Sequence, residues 1–153
     1  MNYLEKVSDF HKTFNAPILE SPQIPSSDRC DLRVNLLQEE LNELKEAISN
    51  NDLTEVLDAL CDLQYVLSGA VLEFGLKDIF DQSFDEVQRS NMSKACESMQ
   101  EAIDTLLHYK QKDGTEGYYK EINGKFICYR NVDNKVLKSI NYSPAKLEFE
   151  NVK

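Results

Sequence analysis

The sequence is poor in the side chains that bind zinc and other soft metal ions. Its four cysteines lie more than 30 residues apart, and no two of them form a C-x-x-C pair. The two histidines, His11 and His108, do not have the spacing of zinc ligands. We therefore expect reduced, mostly buried thiols, and histidines that serve as surface or packing residues.

Basic residues are outnumbered in the chain. There are 17 lysines and arginines against 27 aspartates and glutamates, which gives a formal net charge of −10. A chain of this sign repels nucleic acid and anionic lipid. We expect neither a nucleic-acid nor a membrane partner.

Long apolar runs are also absent. The longest, from Tyr65 to Leu72, is interrupted by Ser68 and Gly69 and is far shorter than the roughly 20 residues that a membrane span needs. The first ten residues, MNYLEKVSDF, carry acids where a secretory signal has a basic region and an apolar core. A cytoplasmic protein is the expectation.

Helical periodicity accounts for most of the chain, which at 153 residues suits a single domain over 1–153. The predicted helices comprise residues 2–15, 28–50, 53–74, 77–89 and 94–110, within a helical part of about 1–112. The proline-rich stretch from Ala16 to Ser27 interrupts this pattern, and we expect it to lie folded across the domain. Asn50 to Asp52 read as a turn that joins two long helices into a hairpin.

Both hairpin helices carry long apolar stripes that we expect to form the core. The stripe of the first helix comprises Val34, Leu37, Leu41, Leu44 and Ile48. That of the second comprises Leu53, Val56, Leu57, Leu60, Leu63, Leu67 and Val71. Because the second helix is apolar on a further face, we expect a homodimer or a homotetramer.

The C-terminal part changes from helical to β-prone patterns. Residues 118–122 and 125–130 flank Asn123-Gly124, a strong signal for a two-residue hairpin turn. A third run, residues 135–140, follows another turn. The sequence therefore predicts a small antiparallel β meander within an extension of about 117–142.

What the chain has in abundance is acid, and the stretch from Leu36 to Asp62 holds two ordered groups. These read Glu39-Glu40-x-x-Glu43 and Glu55-x-x-Asp58, the latter followed by Asp62. On a helical wheel each group falls within about 60°. Acids at this spacing also occur on solvated helix faces. Gln64 and Ser68, however, lie roughly 120° away from the second strip, so we expect the acids to face a protein-lined space instead of water.

Clustered carboxylates need a cation, because otherwise they repel one another and become protonated. Arg33 and Lys45 are the only basic residues close in sequence. Oxygen ligands without His or Cys suit Mg²⁺, with Mn²⁺ as a substitute. A di-iron carboxylate site needs Glu-x-x-His pairs, and no histidine lies between residues 12 and 107. Since Mg²⁺ is commonly completed by phosphate oxygens, the expected substrate carries a polyphosphate.

The ordered acidic groups resemble those of the all-α nucleoside triphosphate pyrophosphohydrolases, the superfamily of MazG, dimeric dUTPases and phosphoribosyl-ATP pyrophosphohydrolase. Two further segments are similar to MazG-like members: DALCDLQYVLSGA (58–70) and FDEVQRSNMSK (84–94). The resemblance covers about residues 30–95. It implies a mainly α, MazG-like helical bundle, here with the small C-terminal β meander. It also implies Mg²⁺-dependent cleavage of a (d)NTP to a (d)NMP and pyrophosphate, in nucleotide-pool house-cleaning.

Carried over by residue, the resemblance matches Glu39, Glu40 and Glu43 to the first acidic motif. Glu40 and Glu43 are the favoured metal ligands of this motif, because they lie beside the apolar stripe of the first helix, while Glu39 is our candidate to orient or deprotonate the attacking water. The second motif stays open among Glu55, Asp58 and Asp62. Glu55-x-x-Asp58 has the family's spacing, whereas Asp62 before Leu-Gln-Tyr resembles the family's aspartate before an apolar run.

Residues after the hairpin could contact the substrate's phosphates. The candidates are Asn91, Lys94, Lys135 and Lys138. Tyr65 and Tyr142 are expected to be packing residues. The alternative to an enzyme is a non-catalytic helical interaction module whose acidic face binds a basic partner, with no metal dependence and no pyrophosphate release.

Overall fold

The computed structural model describes residues 3–148, which form five helices and one two-stranded sheet. The helices are α1 (Tyr3–Thr13), α2 (Ser27–Ser49), α3 (Leu53–Glu73), α4 (Lys77–Met92) and α5 (Met99–Asp113). The strands are β1 (Gly117–Ile122) and β2 (Lys125–Arg130). The prediction of a mainly α fold with a small C-terminal antiparallel sheet is confirmed. Asn2, where the first helix is predicted to begin, lies outside the described residues.

The described residues divide into two compact units. Unit 1 extends to Asp81, and unit 2 comprises Gln82–Glu148. The boundary falls inside α4. The acidic groups therefore belong to unit 1, and the predicted phosphate-binding residues belong to unit 2.

In unit 1, α2 and α3 form the predicted helical hairpin. Asn51 adopts the left-handed conformation with φ 53°, which asparagine tolerates better than most residues. Asp52 caps α3, because its carboxylate accepts hydrogen bonds from the N–H groups of Thr54 (3.0 Å) and Glu55 (3.2 Å). The turn residues thus fix where α3 begins, and with it the register of the two helices.

Helix α1 and the proline-rich stretch cover the C-terminal half of α3. Val7 and His11 of α1 are buried, and α1 packs on α3. The N–H groups of Leu19 and Gln23 donate to the carbonyls of Leu72 (3.1 Å) and Phe74 (3.2 Å). The prediction that this stretch folds across the helices is confirmed.

The prediction that the apolar stripes form the core is wrong for the single chain except at Val71, which is buried; the other stripe residues are exposed or half-buried. Val34 is 64% exposed, Leu53 80% and Leu57 63%. The residues that α2 and α3 do bury are Arg33, Ala47, Ala59, Ser68, Gly69, Val71, Leu72 and Glu73. The reason is that α1 packs on only part of α3. Among residues 3–148, no other element covers the exposed apolar side chains of α3 nearer the turn.

Unit 2 is built from α5 and the β-hairpin. Its core comprises Cys96, Ala102, Cys128 and Leu137, with Leu106, Tyr109, Tyr119 and Phe126 packed around them. The strands pair antiparallel from Gly117 opposite Arg130 to Ile122 opposite Lys125. Asn123 and Gly124 both have positive φ, 52° and 75°, as a two-residue hairpin turn requires.

Residues 135–140 are predicted to form a third strand, and this prediction is wrong. They make a single bridge, between Val136 and Tyr129. Beyond it the backbone finds other partners: the N–H of Ser139 donates to the carbonyl of Lys94 (3.2 Å), and that of Ile140 donates to Oγ1 of Thr105 (3.1 Å). A strand cannot continue once its N–H groups are bonded elsewhere.

The start of α5 is also displaced from the predicted residue 94 to Met99. Cys96 pairs with Phe126 through two backbone hydrogen bonds of 2.9 Å, which removes it from any helix. Ser98 then caps α5 by accepting from the N–H of Glu101 (3.2 Å). A long-range pairing, invisible in local sequence, therefore decided this boundary.

Across residues 3–148, no single helix is both long and apolar enough to cross a membrane; α3 and α4 meet that test only when taken as a pair.

Candidate active site

Five carboxylates from the two hairpin helices lie close together around Glu40. Glu40 is half-buried, and burial raises its pKa above the usual value, as do the charges of its four neighbours: Glu43, Asp62, Glu39 and Asp58, in falling order. Such an effect on the pKa of Glu40 requires that the four other charges lie near it. We call these five residues the acid cluster.

The register of the hairpin explains this grouping. Glu40 and Asp62 each lie 11 residues from Asn51, and Glu43 and Asp58 lie eight and seven residues from it. Positions equally distant from the turn face one another when two helices run antiparallel. The hairpin thus places Glu40 and Glu43 of the first motif opposite Asp62 and Asp58 of the second.

Glu55 is placed nearer the turn. It lies four residues after Asn51, level with Ala47 on α2. It is not among the groups that raise the pKa of Glu40. The three acids of the second motif, all of which the sequence leaves as candidates, are therefore separated by position.

A groove of about 320 Å³ adjoins the acid cluster on the turn side. Its lining comprises Glu43, Glu46, Ala47, Asn50, Asp52, Glu55, Asp58 and Ala59. The buried Ala47 and Ala59 have small side chains that let the helices approach. Glu43 and Asp58 belong to both the groove and the cluster.

Glu46 is not among the predicted site residues. Glu46 lies one turn after Glu43 and lines the groove with it. The i, i+3 spacing was the available signal. Asp52 lines the groove too, but its carboxylate caps α3.

The prediction that the acids face a protein-lined space is wrong for the single chain. Five of the six predicted acids are exposed, and only Glu40 is half-buried. The prediction took Ser68 as a mark of the solvent side, yet Ser68 is 1% exposed. Its hydroxyl donates to the carbonyl of Gln64 (2.8 Å) and accepts from the Gln64 amide (3.1 Å). A serine satisfied within its own helix can be buried without water.

The acid cluster has no counter-ion in the part of the chain that the structure describes. None of its carboxylates forms an ion pair there, and neither does Glu55. Arg33, which is near in sequence, is buried and pairs with Glu73 instead. The negative charge is thus left for a ligand or solvent to balance.

The chemistry of these donors fits a hard cation, although their positions do not form a finished coordination shell. Within residues 3–148, no three carboxylate, imidazole or thiol groups converge closely enough to hold a metal ion. The donors are carboxylate oxygens alone, on side chains that are exposed apart from the half-buried Glu40. Mg²⁺ suits such a set, because it keeps several waters and uses few protein ligands.

A buried ionic network lies where α2 begins and α3 ends, at the end of the hairpin away from the turn. Glu73, 1% exposed, accepts hydrogen bonds from Arg33 and from Arg29, whose Nε lies 3.1 Å from Oε2. Burial acts to raise the pKa of Glu73, but the two arginines outweigh it and lower that pKa. His11 donates from Nδ1 to the carbonyl of Pro17 (2.8 Å) and faces Arg33 through Nε2 (3.4 Å). His11 is therefore a packing residue, as expected.

The four predicted phosphate-binding residues do not all come together in unit 2. Lys94 donates to Oδ1 of Asn91 (2.7 Å), and Lys138 lies over the ring of Tyr142. The pKa of Tyr142 is lowered by the hydrogen bond from Ser90 and, to a smaller extent, by the charges of these two lysines. Lys135 instead lies beside Asp133, whose carboxylate accepts from its backbone N–H (3.2 Å).

The fold and the acid cluster define a mainly α protein with a carboxylate-rich site on a helical hairpin. The chain belongs to the phosphoribosyl-ATP pyrophosphohydrolase family, which matches residues 7–91, more than half of its length. The resemblance to the MazG-like superfamily is thereby confirmed. All six predicted acids fall within the matched segment.

A protein of Acanthamoeba polyphaga mimivirus, itself uncharacterised, is 25% identical to the chain, with 90% of each chain covered. The proteins of this family are hydrolases that act on pyrophosphate bonds, so membership supports a nucleotide pyrophosphohydrolase-like hydrolase in general.

Proposed function

We propose that this protein is a Mg²⁺-dependent nucleoside triphosphate pyrophosphohydrolase. The observation that carries the proposal is the acid cluster: five carboxylates on two facing helices, without a counter-ion among the described residues, inside the segment that matches the family. The reaction adds water at the α-phosphorus and breaks its bond to the α–β bridging oxygen. The products are a nucleoside monophosphate and pyrophosphate.

Within the cluster, Glu40, Glu43, Asp58 and Asp62 are the proposed ligands of the cation. The hairpin register favours this set over one that uses Glu55. When bound, Mg²⁺ would offset charge on the phosphate oxygens and lower the pKa of a water molecule. These four residues hold the site on two rigid helices, whose spacing the turn at Asn51 sets.

Glu39 is the proposed base. It is exposed, and it lies close enough to Glu40 to raise the pKa of that group. A carboxylate that is not committed to metal can orient the attacking water and accept its proton.

Assembly into a homodimer or homotetramer is part of the proposal. The exposed leucines of α2 and α3 form an apolar face that a second copy of the hairpin would cover. Leu57, 63% exposed, lies on this face. Light scattering after gel filtration should give a multimer for the native chain and a smaller species for Leu57→Asp; a native monomer would refute assembly.

The decisive experiment measures pyrophosphate release from a panel of ribo- and deoxyribonucleoside triphosphates with Mg²⁺. Release should require the metal and should fall at least about 100-fold in Glu43→Gln and in Asp62→Asn. The matched control is Asp31→Asn, which removes one charge from an exposed position of α2 about two turns before Glu39 and should retain activity. Absence of release from every nucleotide would refute the proposal.

A further inference from the structure

The C-terminal part of unit 2 brings two lysines to one tyrosine. The Nζ of Lys138 lies 4.2 Å from the centroid of the Tyr142 ring. The pKa of Tyr142 is lowered first by the hydrogen bond from Ser90 and then by the charges of Lys138 and Lys94. Lys138 and Lys94 are 44 residues apart in the chain, yet both charges act on the same phenol.

The backbone, and not only flexible side chains, holds this arrangement. The N–H of Ser139 donates to the carbonyl of Lys94 (3.2 Å). The N–H of Ser143 donates to Oγ of Ser93 (3.0 Å), and Arg89 donates to the carbonyl of Pro144 (3.1 Å). The segment around Tyr142 is thus fastened to the end of α4, beside Lys94.

Neither lysine has a carboxylate partner within residues 3–148. Lys94 bonds to the neutral amide of Asn91, and Lys138 contacts a ring. Other lysines of unit 2 do form ion pairs, Lys110 with Glu116 (3.3 Å) and Lys125 with Glu97. The acid of α4 that lies nearest in sequence, Glu86, is taken by Arg89 and by the N–H of Lys146 (2.9 Å). Two uncompensated positive charges therefore converge in a chain whose net charge is −10.

The free groups at this point are hydrogen-bond donors. Ser90, which is buried, donates to the Tyr142 oxygen (3.1 Å), so the phenol proton remains for another acceptor. Lys94 gives one of its three protons to Asn91 and keeps two. A set of donors with two positive charges suits an anion with several oxygens, and phosphates are such anions.

We propose that Lys94, Lys138 and Tyr142, with Asn91 beside Lys94, bind the oxyanion of a phosphate or polyphosphate. This gives Tyr142 a binding role in place of the expected packing role, and it leaves Lys135 outside the site. The identity of the natural ligand, a nucleotide's triphosphate or free pyrophosphate, rests on the proposed function. The binding chemistry itself does not.

Calorimetric titration with the divalent cations chelated tests the site without the acid cluster. The probes are inorganic phosphate, inorganic pyrophosphate and a nucleoside triphosphate with a methylene bridge between its α and β phosphorus atoms. Lys94→Ala and Lys138→Ala should each weaken binding at least about tenfold. Tyr142→Phe, which keeps the ring beneath Lys138, should weaken it about three- to tenfold.

Lys120→Ala is the matched control. Lys120 also lies over tyrosine rings in unit 2, 5.6 Å from the centroid of Tyr118, and its loss should leave binding unchanged. Lys138→Arg keeps the charge and should bind within a few-fold of the native chain. Circular dichroism checks that each variant is folded, and Lys138→Gln replaces Lys138→Ala if the alanine variant is not.

Two results would overturn the proposal: no binding of any probe by the native chain, or equal binding by folded variants of Lys94 and Lys138. Binding of the triphosphate analogue alone supports the site with a nucleotide as its ligand, and binding of pyrophosphate supports it with the released product. Asp62→Asn should bind the probes like the native chain under chelation. Loss of hydrolysis and loss of this site can therefore be told apart.

Discussion

The α2–α3 hairpin holds carboxylates in two opposite electrostatic settings. Near the C-terminus of α3, Glu73 is buried between Arg29 and Arg33, which hold its pKa below the usual value. Toward the turn, Glu40 lies among four other acids, and its pKa is raised by burial and by their charges. The charge of Glu73 is balanced by two arginines, whereas the charge of the acid cluster remains for a ligand or solvent to balance.

This difference separates a structural site from the proposed functional one. A buried carboxylate with two arginines resists separation, because each partner left alone would be a buried, uncompensated charge. A cluster of like charges on a rigid scaffold instead lowers stability until a cation arrives. Repulsion between like charges opposes folding, and such departures from what stability favours are expected at functional sites.

The largest expected effect is a loss of stability when Glu73, the carboxylate that two arginines neutralise, is replaced. Glu73→Gln leaves Arg29 and Arg33 without their carboxylate and should lower the free energy of unfolding by about 3 to 5 kcal/mol. Urea unfolding followed by circular dichroism measures it. Glu43→Gln, the control at the other end, should stay within about 0.5 kcal/mol of the native chain. A loss below about 1 kcal/mol for Glu73→Gln would remove the contrast.

The next effect is on catalysis. It tests which acids of the second motif are ligands of the cation. Asp58→Asn and Asp62→Asn should each lower kcat/KM for pyrophosphate release at least about 100-fold, or about 2.7 kcal/mol. Glu55→Gln should lower it less than about fivefold, because Glu55 lies level with Ala47 and not with the first motif. If Glu55→Gln were as severe as Asp62→Asn, the ligand set would have to include Glu55.

A smaller effect is the pH dependence of stability that Glu73 produces. Its folded pKa lies below the ordinary 4.5, so its contribution is present above about pH 4.5 and is lost as the pH falls through the folded pKa. The native chain should therefore lose stability on acidification, and Glu73→Gln should lose less. Unfolding curves between pH 7 and pH 3 measure the two slopes; parallel slopes would show that other groups cause the acid sensitivity.

The smallest effect belongs to Glu40 and has the opposite sign. Its folded pKa lies above 4.5, so ionisation above that pKa destabilises the fold, and removing the charge relieves the repulsion. With divalent cations chelated, Glu40→Gln should raise Tm by about 1–2 °C. Added Mg²⁺ should raise the Tm of the native chain and not that of the variant. A lower Tm for the chelated variant would show that the repulsion is unimportant.

Much of the fold follows from local signals. The turn at Asn51, the cap at Asp52 and the Asn123-Gly124 hairpin turn were all predictable, because these residues act on the backbone beside them. The start of α5 and the failure of residues 135–140 to form a strand were not. Both depend on hydrogen bonds between distant segments, such as that between Cys96 and Phe126.

The candidate site divides in the same manner. The motif spacing predicted the acids themselves, since residues three and four apart share a helix face. It left Glu55, Asp58 and Asp62 all as candidates, because excluding one of them requires the distance of each residue from the turn on both helices. It also could not tell that Arg33, near in sequence, pairs with Glu73 instead of balancing the cluster.

The sequence by itself determined that this protein is mainly helical, that two acidic motifs occupy one hairpin, and that the family is a pyrophosphohydrolase family. Those properties depend on residue type and short-range periodicity. Only the tertiary structure decided which acids face one another, which arginines are unavailable to them, and that Lys94 and Lys138 meet at Tyr142. Charges separated by tens of residues interact through distance in space, which the linear order of residues does not specify.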